Sequence, residues 1–192
     1  MRRKALWTAA LVAAASISAQ SLTLLVISEA RIVQESERVV TGTVLTAQAQ
    51  WLDPDGDGVQ SIYTVATFRV DQSIKGPDQP GALLTLHAFG GTIGNRTMTA
   101  PGVPLFQKDE RLLLCLTREI TTAKFSAVVG AVQGRWVIRT DSSGADQARR
   151  DFEHAAFMTL DANGNLVGAE APNSKEEPLA DVVARLQAEV KK

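Results

Sequence analysis

Cysteine occurs once, tyrosine once and histidine twice in the 192 residues, and aromatic residues make up only 5% of the chain. A lone cysteine, Cys115, excludes an internal disulfide, so the fold must rest on its apolar core. It sits between leucines in "ERLLLCLTRE", the setting of an unreactive structural thiol. His87 and His154 form no two-histidine motif, so a zinc site would need folding to unite them with a carboxylate such as Asp151 or Glu153. No "GxSxG" accompanies them to suggest a serine triad. Neither charge sign dominates: 20 Lys and Arg face 21 Asp and Glu. That balance leaves no basic footprint for nucleic acid. No repeat or low-complexity segment interrupts the chain.

What is present begins with "MRRKALWTAALVAAASISAQ". Arg2, Arg3 and Lys4 precede an apolar run over residues 5–19 that closes on Ser16, Ser18 and Ala19, the layout of an export signal. Cleavage after Ala19 would leave 173 of the 192 residues and shift the formal charge from −1 to −4. No cysteine near that point could carry a lipid. The expected product is free in the periplasm or medium, without membrane contact. The alternative is an uncleaved anchor, because residues 22–27 resume the apolar run and residues 5–27 approach a bilayer span.

Residues 20–38 read as a lead-in with a short helix that Ser28 could cap. From Val39 the period changes to two, with Val40, Gly42 and Val44 on one side, and Gly42 placed to bend or bulge the strand. "SIYTVATFRVDQSIKGP" alternates for longer, with Ile62, Thr64, Ala66, Phe68 and Val70 on one face, and stops at Gly76 and Pro77. "ALLTLHAF" turns Leu84 and Leu86 inward and Thr85 and His87 outward. "RLLLCL" is apolar on both faces and should be a central strand. "KFSAVVGAV" and "GRWVIRT" read as two more strands or one bent by Gly134, and "FMTLDANGNLVG" as a hairpin turning at Asn163 and Gly164. Leu179, Val182, Val183, Leu186 and Val190 trace one face of a final amphipathic helix over residues 173–192, behind Pro178. The expectation is a mostly β protein: a small OB-like antiparallel barrel of about five to six strands over residues 39–172, flanked by the two helices.

The segments "VVTGTV", "IYTVATFRVDQSIKGP", "LLTLHAFGG", "PGVPLF" and "ERLLLCL" resemble a group of exported bacterial domains of unassigned function. Residues 39–116 are also similar in layout to the netrin-like module of tissue inhibitors of metalloproteinases, an OB-fold barrel whose long second strand ends as here at Lys75, Gly76 and Pro77. The resemblance implies fold more than function. Those inhibitors chelate the protease's zinc through an N-terminal cysteine and are stapled by disulfides. With Cys115 alone and internal, that mechanism transfers to no residue of this chain.

Two loops are the candidate binding surfaces. "DPDGDG" places Asp53, Asp55 and Asp57 where a calcium loop puts its first oxygen ligands, but Thr64 stands where the closing glutamate belongs. The expectation is a solvated turn, with a weak calcium site on those three aspartates as the alternative. "GGTIGNRTMTAPGVPLFQKDE" reads as a long irregular loop, in which Gly90, Gly91, Asn95 and Arg96 form a strand exit and its tip. Trp51, Tyr63 and Trp136 could stack a ligand, but with aromatics at only 5% and no basic excess the expectation for them is core or rim packing. Together these features predict a non-enzymatic binding module that engages a protein partner, in one version a protease, through Trp51 and the two loops. Two further functions are a metal-assisted hydrolase using His87 and His154, and a calcium-stiffened envelope or adhesion component.

Overall fold

A computed structural model describes residues 22–54, 56–100, 102–119, 126–152 and 155–192. In chain order its elements are β1 (Leu22–Leu25), α1 (Glu29–Glu35), β2 (Arg38–Leu52), β3 (Ser61–Lys75), β4 (Leu83–Phe89), β5 (Gly91–Ile93), β6 (Arg96–Met98) and β7 (Arg111–Leu116). After a 3-10 turn at Ala131–Gly134 come β8 (Arg135–Thr140), β9 (Asp146–Arg149), β10 (Ala155–Leu160), β11 (Leu166–Ala169), β12 (Glu177–Pro178) and α2 (Leu179–Val190).

The protein is mostly β, but its named strands do not close into the expected barrel. Seven of them lie in the open order β12-β9-β8-β7-β2-β3-β4, while β1-β10-β11 and β5-β6 form separate sheets. Alternation within the sequence identifies the longer strands; it does not reveal β9 or β12, nor that these and β8 continue the sheet beyond β7. Only isolated bridges arise from "KFSAVVGAV" among the described residues: Leu86 with Ser126, parallel, and Leu116 with Val128, antiparallel. The segment then bends at Gly130 (φ 66°) into the 3-10 turn instead of continuing as a strand.

β2 and β3 are each 15 residues long and pair along nearly their whole length. Their register slips at Gly42, as the glycine suggested. A Cβ there would lie 2.1 Å from the Arg69 carbonyl oxygen and 2.7 Å from the Phe68 ring, so no larger residue fits this crossing. β7 lies between β2 and β8 and is buried on both faces. Leu112, Leu114 and Leu116 enter one core with Val40, Phe68 and Leu86. Leu113 and Cys115 enter a second with Ile32, Val33, Trp136, Val182 and Leu186. Burial pushes the Cys115 thiol up to about 12, consistent with a packing role.

The second core explains both helices. Ser28 caps α1, its Oγ accepting the Arg31 N–H at 3.3 Å, and Ile32 and Val33 point inward. α2 buries Val182 and Leu186 against the same residues, so its stripe docks on its own sheet, and Val190 at the end stays 36% exposed. An ionic cluster joins the two helices. Arg150, 3% exposed, meets Glu29 at 3.1 Å, and Glu29 also meets Arg185 (2.7 Å), which holds Glu177 (2.9 Å). The Arg150 guanidinium lies 5.1 Å from the Trp136 ring and 5.5 Å from that of Phe152, and its Nε–H donates to the Asn173 carbonyl.

The N-terminal apolar run ends sooner than its composition suggests. Leu22–Leu25 is strand β1, parallel to β10 in register Leu24 with Phe157, and does not prolong a membrane-spanning helix. Among the described residues no helix is long and apolar enough to cross a membrane.

Candidate functional site

The C-terminal ends of β2 and β4 and the start of β3 meet at one end of the sheet, because the three strands are consecutive and antiparallel. Topology therefore brings the Asp53 loop and the segment after Gly90 together, although 36 residues separate Ile62 from Met98, whose Sδ accepts the Ile62 N–H at 3.2 Å.

The segment after β4 is not the irregular loop its composition predicts. β5 and β6 form a hairpin turning at Gly94 and Asn95, with Gly91 opposite Met98. It folds over the inward faces of β2 and β3. Gly90 donates to the Ile62 carbonyl (2.8 Å), Thr64 Oγ1 donates to the Gly90 carbonyl (2.8 Å), and a Cβ on Gly91 would come within 2.9 Å of the Ala49 methyl. Gly90 and Gly91 thus seat the hairpin, while Asn95 and Arg96 at its tip are exposed. Arg96 lies 5.8 Å from the ring of Trp51, itself 37% exposed, so two of the expected contact residues form one cation–π surface.

The Asp53 loop is built by its own backbone. Asp53 Oδ1 accepts the N–H groups of Gly56 (2.8 Å) and Asp57 (3.1 Å), Oδ2 accepts that of Gly58 (2.9 Å), and Asp57 Oδ1 accepts that of Val59 (2.7 Å). This is the chemistry of an Asx turn, with both Asp53 oxygens engaged. Asp141 and Asp161 open the β8–β9 and β10–β11 turns in the same manner. Asp55 lies outside the described residues, and so do Glu153 and His154. Among the described residues, no group of three or more His, Cys, Asp or Glu could hold a metal ion.

The sequence reading overlooked a cleft on the outer side of β3 and β4. Antiparallel register sets Tyr63 opposite Phe89 and Val65 opposite His87. The Tyr63 and Phe89 rings meet edge to face at 5.4 Å, and the Tyr63 and His87 ring centroids are 6.5 Å apart. Beyond the single Leu86–Ser126 bridge, β4 and the segment at Ala127 and Val128 part, leaving a mostly apolar cavity of about 270 Å³. Tyr63, His87 and Phe89 form one wall, with Val103, Pro104 and Val128 opposite. Burial lowers the His87 pKa, so the neutral imidazole is favoured in this setting. Alternation alone puts Tyr63, His87 and Phe89 on the outward face; only the return of residues 103–104 and 127–131 makes that face a cleft. A wider groove of about 570 Å³ beside α2, lined by Leu179 and Val183, has no aromatic wall.

No protein-family model, no curated protein and no solved structure matches the chain.

Proposed function

We propose that the chain is an exported, non-enzymatic binding module that takes an apolar or aromatic side chain of a protein partner into the Tyr63–His87–Phe89 cleft. The Trp51–Arg96 surface and the Asp53 loop meet the same partner at the end of the sheet. The observation that carries this reading is the cleft itself: an apolar cavity of about 270 Å³, slightly below the usual size of small-molecule pockets and suited to one inserted side chain. Aromatic walls of this kind supply much of the binding energy at protein interfaces.

An OB-like, partly open barrel is the architecture in which we place the site. Its support is the ring of neighbours β2-β3-β4, residues 126–128, β7 and back to β2, in which the joints on either side of residues 126–128 are isolated bridges and the β4 contact is parallel. OB folds bind through the face of their second and third strands and the adjoining loops, and β3 and β4 occupy those places. A protease is one partner this surface could engage, by a route that does not use Cys115.

The test uses the purified protein as bait on envelope and culture-fluid fractions, beside Tyr63→Ser with Phe89→Ser. In parallel, amide spectra are recorded while N-acetyl phenylalanine amide and N-acetyl leucine amide are added. The reading expects a partner held by the wild type and released by the double variant, with shifts at Phe89 and Val128. A partner retained equally by both proteins, or shifts confined to the α2 groove, would sink it.

A further inference from the structure

Among the described residues, β11 is a sheet edge without a guard. β12 is two residues long, includes a proline without an N–H, and runs directly into α2. β4 is met by Ser126, whose N–H donates to the Thr85 carbonyl at 3.2 Å. β6 is three residues long and carries Arg96. β1 is closed by the buried Gln133: its Oε1 accepts the Ile27 N–H and its Nε2 donates to the Leu25 carbonyl, both at 2.9 Å, as a neighbouring strand would. β11 has no such device. Leu166 and Gly168 are exposed, no charge or proline lies within the strand, and a Cβ on Gly168 would meet nothing within 4 Å.

The direction of its free groups follows from the hairpin. Asp161 N–H donates to the Asn165 carbonyl at 2.9 Å, so the next hydrogen-bonded pair is Thr159 with Val167. Leu166 and Gly168 therefore turn their N–H and C=O groups away from β10. The opposite edge agrees, since Val26 takes the carbonyl of Met158, the residue facing Gly168. The two outward residues flank Val167 symmetrically.

We propose that β11 pairs with β11 of a second copy of this chain, antiparallel, about a two-fold axis at Val167. Each Leu166 then exchanges both outward bonds with the partner's Gly168, and the small sheet continues from one protomer into the other. A second copy fits better than an arbitrary strand for two reasons. The free donors and acceptors are symmetric about Val167, with Leu166 set opposite a residue that has no side chain, and the leucines of the adjoining face, bordered by Arg31 beside Leu25 and Leu160, repeat across the axis. On that face Leu25 stands beside Met158, and Leu160 beside Leu166, by register; Leu25 is 51% exposed and Leu160 and Leu166 57% each. Leu166 would lie over the partner's Gly168, which has no side chain, and against the partner's Met158, making one apolar strip from two. So short a contact makes a weak, concentration-dependent dimer. The pairing is independent of the cleft at β4.

The full chain is tested by sedimentation equilibrium and by thiol cross-linking. Val167 on the axis is a non-hydrogen-bonded pair, with Cα atoms about 4.5 Å apart, within disulfide range. Val167→Cys should form covalent dimers under mild oxidation, whereas Leu166→Cys, facing a glycine, and Ser143→Cys in the exposed β8–β9 turn should not. Cys115 is buried and does not interfere. Leu166→Asp should abolish the rise of mass with concentration. A single-chain mass up to about 1 mM, or cross-linking equal at all three positions, overturns the proposal. A dimer that survives Leu166→Asp does so too, because it places the contact elsewhere.

Discussion

Replacing Glu29 by glutamine keeps the size of the side chain and removes one charge. It leaves Arg150 buried, 3% exposed, with its nearest described carboxylate gone, the Asn173 carbonyl and two aromatic faces beside it, and the Glu177 charge acting from farther off. Burial already lowers the Arg150 pKa, and the Glu29 charge is the largest influence opposing that shift. Breaking a buried ion pair from one side costs about 3–5 kcal/mol. Glu29 is itself 20% exposed, and Arg185 retains Glu177, so the lower figure of about 3 kcal/mol applies. Arg150→Met alone strands Glu29 less severely, because Arg185 still meets it at 2.7 Å. The double substitution Glu29→Gln with Arg150→Met should recover at least about 1.5 kcal/mol relative to the sum of the two single changes, as expected for directly coupled charges. The assay is urea unfolding followed by circular dichroism and tryptophan fluorescence, with Trp136 against the guanidinium as a local reporter. A cost below about 1 kcal/mol for Glu29→Gln, or strict additivity in the cycle, would refute the claim that this cluster joins the helices through a desolvated charge.

Gly42→Ala should cost about 1–3 kcal/mol or more, read as a lowered Tm, since its Cβ would collide with the Arg69 carbonyl rather than with a mobile side-chain tip; an unchanged Tm would show that the β2–β3 register slip at Gly42 can relax. For His87 the folded pKa lies below the ordinary 6.5 because burial disfavours the cation, so the unfolded chain takes up its proton first as the pH falls. Its contribution to stability is whole above pH 6.5, declines toward the folded pKa and levels off below it. Chemical unfolding of wild type and His87→Phe across that range should show the decline only in the wild type.

Much of the fold was legible from period and punctuation. The alternation over residues 61–75 predicts which side chains of β3 are buried, because a half-buried strand has a period of two, and the doubly apolar "RLLLCL" marks β7 as central. The Ser28 cap, the turn at Asn163 and Gly164, and the α2 stripe are equally local, each needing only neighbours a few residues away. The β5–β6 hairpin escaped notice because its strands are three residues long, too short for a period to emerge. β1 escaped because its four residues follow an apolar leader of the same composition.

At the candidate site the division is the same. Sequence alone determined the apolar core strands, the outward placement of His87, the turn led by Asp53, and the solitary cysteine that rules out an internal disulfide. Only the tertiary structure decided that Tyr63 and Phe89 face each other, that residues 103–104 and 127–131 return to make their surface a cleft, and that Arg96 reaches Trp51. It alone decided that the seven-stranded sheet stays open and that β11 forms one edge of the separate three-stranded sheet. The physical reason is range: period, capping and turn chemistry are written within a few residues, whereas register between distant strands is set by packing, which no local stretch of sequence contains.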